Sequence, residues 1–191
     1  MKIGITGGIG SGKSYVCRLL EERGYAVYDC DSAAKRLIRT SPYIRRRLTA
    51  LTGPDTYKVQ ESGEYMLNKK VVAEFLLASE ENTKAIDRIV HPAVFRDFTL
   101  SGMEWMESAI IFESGIYRLV DRVIAVTAPE ELRIQRVMAR DNISREKVQE
   151  WMSRQLPQEE VRQRADFEIV NDEESDIQQQ LENILEIIYK V

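Results

Sequence analysis

The sequence predicts an α/β fold in which a five-stranded parallel sheet is flanked by helices. Three observations carry this. Short apolar runs recur along the chain. Segments with helical periodicity separate them, so successive strands need crossovers and lie parallel. A glycine-rich turn joins the first apolar run to the first helix, which is where an open sheet of this kind receives a ligand.

The elements are expected in the following order. Lys2 to Thr6 reads as a short buried strand, and Lys13 to Arg23 as a helix stopped by Gly24. Ala26 to Asp29 reads as a second strand and Ser32 to Thr40 as a second helix. From Pro42 to about Met106 no strand is expected. Helical patches at Tyr43 to Leu51, Lys69 to Ala78 and Glu81 to Val90, with a loop from Gly53 to Gly63, read as an insertion over the sheet edge. Strands are expected again at Ser108 to Phe112 and at Arg122 to Val126. An amphipathic helix follows over Glu130 to Arg140. Ser144 is expected to cap a helix running to Trp151. Phe167 to Val170 reads as the fifth strand, and Asp176 to Tyr189 as a closing helix with Ser175 and Gln178 as a capping box.

Composition narrows the function. With 191 residues and 43% hydrophobic content the chain suits one globular domain with an inserted subdomain. Its 27 basic and 31 acidic residues give a net charge of −4. That balance does not ask for nucleic acid or an anionic membrane as the main partner. Cys17 and Cys30 are the only cysteines. They make neither a disulfide framework nor a zinc site, and fit reduced thiols in a cytoplasmic protein. The opening MKIGITGG is expected not to serve as a secretion leader, because the glycine turn begins before an apolar leader core is complete. No apolar run approaches membrane-spanning length.

The turn itself is specific. Gly7-Gly8-Ile9-Gly10-Ser11-Gly12-Lys13-Ser14 matches the P-loop pattern at every fixed position. Glycines let backbone N–H groups converge on phosphate oxygens, and the helix that starts here adds its positive end. Lys13 is placed to reach the β- and γ-phosphates, and Ser14 to ligate Mg²⁺. The second strand ends in Tyr28-Asp29-Cys30-Asp31. Carboxylates at a strand's carboxyl end face the ligand side, where one can take a proton or help hold a metal. The competing reading makes Asp31 the cap of the helix beginning near Ser32. Arg136 and Arg140 are four apart and share a helix face, either as phosphate contacts or as a solvated basic stripe. His91, the only histidine, is either a helix end before Pro92 or a substrate contact. Glu113 is expected at the end of the third strand. The Arg45-Arg46-Arg47 run reads as a solvated face, and Trp105 and Trp151 as packing residues.

Over essentially its whole length the chain resembles the dephospho-coenzyme A kinase family. The resemblance is carried by Ile5 to Ser14, Asp29-Cys30-Asp31, His91-Pro92, Ile110-Ile111-Phe112-Glu113, Arg136 with Arg140-Asp141, Gln155, Ala165-Asp166 and Asn171. Departures from the family pattern stand at Tyr15, Ala109, Val161 and Asp172-Glu173-Glu174. The resemblance implies ATP-dependent phosphorylation of the ribose 3′-hydroxyl of dephospho-CoA, with ATP and Mg²⁺ as cofactors. It implies a nucleotide-binding core at 1–31 and 107–191, a mobile helical lid at about 136–155, and a helical acceptor-binding insertion at 32–106.

Loop and resemblance together assign the site. Asp31, Lys13, Arg136 and Arg140 are the candidate catalytic residues. Gly8, Gly10, Ser11, Gly12, Lys13, Ser14 and Tyr15 are expected to bind ATP. Thr6, Asp29, Asp31, His91 and Glu113 are expected at the acceptor, and Ser14 at the metal. No nucleic acid, membrane or obligate protein partner is expected. The alternatives are a nucleoside or nucleotide kinase of the same architecture and a P-loop switch protein. No Asn-Lys-x-Asp segment of a guanine-specific switch is present.

Overall fold

Every residue of β1 (Ile3–Thr6) is buried, as a strand covered on both faces must be. In the computed structural model, which describes residues 1–189, β1 is the centre of a five-stranded sheet. The other strands are β2 (Val27–Asp29), β5 (Trp105–Glu107), β6 (Arg122–Thr127) and β7 (Phe167–Val170), in the spatial order β2-β5-β1-β6-β7. β1 pairs in parallel with β5 and β6, and β6 with β7. Ile5 lies between Glu107 and Ile124 in register. The carboxyl ends of β1 and β5 therefore come level beside the glycine loop.

The chain divides into two compact units. One is drawn from Met1–Tyr28 and the chain from Met103 onward. In it, α1 (Lys13–Glu22) buries Val16, Leu19 and Leu20, and α9 (Ile177–Tyr189) buries Leu181, Ile184 and Ile188. These helical stripes meet Ile3, Ile5, Trp105, Ile124, Val126 and Ile169 in one core. Burying each such large side chain is worth roughly 1.5–3 kcal/mol. Trp105 is 1% exposed. Its Nε1–H donates to the Tyr189 hydroxyl at 3.2 Å, and the Tyr25 ring packs on both. A second small core joins α6 (Glu130–Asp141) to α7 (Arg145–Met152) through Ile134, Val137 and Val148, with Ile9 and Trp151 against it. α8 (Gln158–Arg164) leads into β7.

The third strand is Trp105–Glu107 and not Ser108 to Phe112. Ser108 N–H still donates to the Ile5 carbonyl at 3.0 Å, but beyond it Ser114 N–H returns to Ile110 and Gly115 N–H to Phe112. Ile111 and Phe112 are buried in this turn, which explains their apolar character without a ladder. At α9 the expected Ser175–Gln178 box is absent. Asp176 does the capping, accepting the Gln179 N–H at 3.0 Å, while Ser175 N–H goes to Asp172. Ser144 caps α7 as expected, accepting the Lys147 N–H.

The other unit spans Asp29–Gly102. It holds α2 (Cys30–Thr40), α3 (Pro42–Thr52), α4 (Lys69–Ala78) and α5 (Glu80–Ser101). Cys30, Ala33, Ile44, Leu48, Ile86, Ile89, Val90, Val94 and Phe98 are among its buried apolar residues, and Arg36 bonds Asp97 at 2.5 Å from α2 to α5. Contrary to expectation, this region contains strands. β3 (Tyr57–Val59) and β4 (Tyr65–Leu67) form an antiparallel hairpin. Three-residue strands carrying Lys58 beside exposed Val59 and Met66 offer no alternation for a sequence pattern to show. The hairpin is tied to α2 by the Tyr57 hydroxyl, which donates to the Ile38 carbonyl at 2.9 Å. Nor does a helix end at His91. α5 runs through His91 and Pro92 without a break, although Pro92 has no N–H to give to the carbonyl four residues back.

Candidate functional site

Residues 7–14 leave the end of β1, turn, and enter α1. Two glycines show why the loop takes this composition. Gly12 is the N-cap of α1 at φ 98° and ψ 18°, a left-handed conformation that costs other L-residues about 1–2 kcal/mol. A Cβ on it would also strike the Asn171 side-chain amide. Gly8 is packed so closely on the Arg133 guanidinium that a Cβ there would collide with Nη2. Gly10 and Ser11 complete the turn, with Ser11 N–H bonded to the Gly8 carbonyl at 3.1 Å.

The loop is braced from behind. Asn171, at the end of β7, donates from Nδ2 to the Ser11 carbonyl at 2.9 Å. Gln155 accepts the Ile9 N–H at 2.8 Å. Arg133 donates from Nε to the Ile9 carbonyl at 3.0 Å. These braces use up outward-facing backbone groups, and the N–H groups entering α1 remain for an anion. Lys13 Nζ lies over the loop, 3.5 Å from the Gly8 carbonyl and 3.8 Å from Glu107 Oε1. Ser14 and Tyr15 follow in the first turn of α1 and are exposed; the Tyr15 ring has Arg18 at 5.8 Å. Thr6, expected at the acceptor, is 1% exposed at the end of β1.

Glu107 was not foreseen, and Glu113 is displaced by the same shift of strand. Glu113 does not end a strand. It is exposed and accepts the Leu156 N–H at 3.0 Å, fixing the chain ahead of α8. Gln155 and Asn171 appear in the sequence only as family landmarks. The structure gives them a task, holding the loop's peptides. Arg133 carried no signal beyond lying one turn before Arg136.

The two expected arginines share α6 but have different partners. Arg136 donates to the Asn171 carbonyl at 3.3 Å and to its Oδ1 at 3.1 Å, and pairs with Glu173 at 3.4 Å. It thus holds the same asparagine that holds the loop. Arg140 forks onto Asp141, at 2.8 and 2.7 Å. This pairing raises the arginine's pKa and lowers the aspartate's.

In the Asp29–Gly102 unit, Asp29 is the N-cap of α2. Its carboxylate accepts the Ser32 N–H at 3.0 Å and the Ser32 hydroxyl at 2.6 Å. The cap is therefore not Asp31, which lies in the first turn with its side chain exposed. Cys30 has already begun the helix, so strand alternation does not reach Asp31. His91 sits on α5, with Nε2 3.5 Å from Asp87 and its ring stacked on Phe95.

A divalent cation is tested by the donors present. Among the described residues no group of three His, Cys, Asp or Glu side chains converges. The Ser14 hydroxyl beside the braced loop fits Mg²⁺, which keeps several waters and rides on substrate phosphates, and does not fit a cation needing an all-protein cage.

A braced glycine loop between a central parallel strand and a helix, with lysine at its mouth, defines a phosphotransferase of the P-loop kinase fold. The family model described as dephospho-CoA kinase matches residues 1–177. The chain belongs to the dephospho-CoA kinase family. The dephospho-CoA kinase of Bacteroides fragilis is 38% identical, over 100% of this chain and 94% of that protein. A crystallised Thermus thermophilus protein superposes with a TM-score of 0.79 at 34% identity, covering 100% of this chain and 96% of its own. The dephospho-CoA kinase of Campylobacter jejuni shares the fold with a TM-score of 0.67 at 22% identity, covering 100% and 98%.

Proposed function

We propose that this chain transfers the γ-phosphoryl group of ATP to the ribose 3′-hydroxyl of dephospho-CoA, giving coenzyme A, and does so in the cytoplasm. The observation that carries the reading is the loop, whose carbonyls are held away by Asn171 and Arg133 while Lys13 lies across its mouth.

The triphosphate lies on the glycine loop, at Gly8, Gly10, Ser11, Gly12, Lys13 and Ser14, where N–H groups entering α1 are available to it. Lys13 bonds the β- and γ-phosphates, with Glu107 fixing its ammonium group. Ser14 is the residue that would hold Mg²⁺, which would supply positive charge against the negative charge developing on the phosphates. Asp31 accepts the proton of the attacking hydroxyl. Arg136 and Arg140 stabilise charge on the transferred group when the segment at about 136–155 closes. Asp29 keeps the start of α2, and with it Asp31, in place. Thr6, His91 and Glu113 serve the acceptor side, and Tyr15 the nucleotide side.

The test is a coupled assay for ADP release with and without dephospho-CoA, with the product's phosphorylation site read by mass spectrometry. Release that depends on dephospho-CoA is expected. Strong turnover with a nucleoside monophosphate and none with dephospho-CoA would replace this reading with a nucleotide kinase.

A further inference from the structure

One residue behind the loop is not used by the proposed chemistry. Arg133 is 6% exposed, and arginines this deep are normally paired with a carboxylate. Its hydrogen-bond partners here are neutral. Nε donates to the Ile9 carbonyl at 3.0 Å, and Nη1 donates to Gln158 Oε1 at 3.3 Å. Gln158 Oε1 also accepts the Ala128 N–H at 3.1 Å, which ties the group to the end of β6. Glu130 acts on the guanidinium through its charge, and burial outweighs it. The cation stays charged, because a guanidinium does not lose its proton in a protein.

The geometry sets what this cation does. In a planar trans peptide the C=O and the following N–H point in opposite directions. Holding the Ile9 carbonyl toward Arg133 therefore turns the Gly10 N–H to the other side of the loop. The Ile9 N–H is held separately by Gln155, so neither peptide flanking Ile9 can rotate without breaking a bond. Gly8 has no side chain, and this lets the guanidinium lie directly against the loop.

We propose that Arg133 is a positioning residue for the triphosphate, aiming the Gly10 N–H and placing a fixed positive charge beneath the loop for the bound polyphosphate to balance. The inference rests on the reading that this loop binds ATP.

The test uses the full chain with Arg133→Met, which keeps bulk and removes charge and donors, and Arg133→Lys, which keeps charge. ATP and inorganic tripolyphosphate binding are measured by calorimetry without acceptor, and both KM values by the coupled assay. Arg133→Met is expected to weaken ATP and tripolyphosphate binding about tenfold, with KM for dephospho-CoA within about twofold. Arg133→Lys is expected to recover part of the loss. A folded Arg133→Met protein with unchanged ATP affinity, or with both KM values raised alike, would overturn the proposal. If the Met variant does not fold, Arg133→Lys decides. An ATP KM raised about threefold with an unchanged acceptor KM supports the proposal, and no change or an equal change overturns it. A wild-type chain that binds ATP but does not phosphorylate dephospho-CoA would overturn the acceptor reading and leave this test intact. No ATP binding by the wild type would overturn both.

Discussion

Asp31 and Asp29 are two residues apart and do different work. Asp29 spends both carboxylate oxygens on Ser32, which leaves Asp31 without a capping duty and with its side chain exposed. Asp31→Asn is accordingly expected to lower kcat by roughly 10²–10⁴-fold, while calorimetric ATP affinity changes by less than about threefold. Near-normal turnover in the variant would remove Asp31 as the base. Gly12→Ala carries two faults at once, a left-handed backbone at φ 98° and a collision with Asn171. It is expected to lower unfolding stability by at least about 1–2 kcal/mol in urea titration and to weaken ATP binding with it. The loop residues were legible in the sequence because their chemistry is local, with fixed spacing between a strand and a helix. Glu107 was not legible. Its approach to Lys13 depends on β5 lying level with β1, and register between strands a hundred residues apart leaves no local mark.

Elements were legible where apolar spacing ran long enough to show a period. α1, α6 and α9 each bury a stripe at helical spacing, and β6 and β7 are short apolar runs. The reading failed where apolar character came from something other than a ladder. Ile111 and Phe112 are buried in a turn, while Trp105 and Met106 make a strand too short to register. The Ser144 cap was readable because one hydroxyl ahead of a helical run has one obvious use. Ser144→Ala is expected to destabilise the protein by roughly 0.5–2 kcal/mol, measured by chemical denaturation. The β3–β4 hairpin offers a pH test. Burial of the Tyr57 ring pushes its hydroxyl up to about 12, against a lowering effect of Arg45. The folded state therefore holds this proton longer than the unfolded chain does. Its contribution is complete below pH of about 10 and is lost as pH rises through about 12. Tyr57→Phe removes the bond to Ile38 at neutral pH, costing about 0.5–1.5 kcal/mol. The stability gap between wild type and variant is expected to shrink as pH passes about 10, read as urea midpoints at several pH values. A gap independent of pH would show that the hydroxyl titrates as if exposed.

At the scale of the whole chain, the phosphate loop and its braces come from opposite ends of the sequence. The loop lies at residues 7–14. The side chains that hold it are Arg133, Gln155 and Asn171, and the carboxylate on Lys13 is Glu107. Neither end builds the cradle alone, because β1 must first be enclosed between β5 and β6. The unfolded chain then has no structure competent to bind a triphosphate, and the full binding free energy of ATP appears as added stability of the folded state. At an ATP concentration about a hundred times its Kd, with Mg²⁺ present, this is about 2.7 kcal/mol. For a chain of this size it corresponds to a rise in Tm of roughly 5–10 °C. Lys13→Ala is expected to remove most of that rise and also to lower the Tm without ligand, because the ammonium group is largely buried and lies 3.8 Å from the equally enclosed Glu107 carboxylate. Chelating the divalent cation is expected to remove part of the rise, as the proposed role of Ser14 toward Mg²⁺ requires. Scanning calorimetry on wild type and variant, each with ATP, with ATP and chelator, and without ligand, separates these contributions. A wild-type Tm unmoved by saturating ATP would mean that the braced loop is not a nucleotide site.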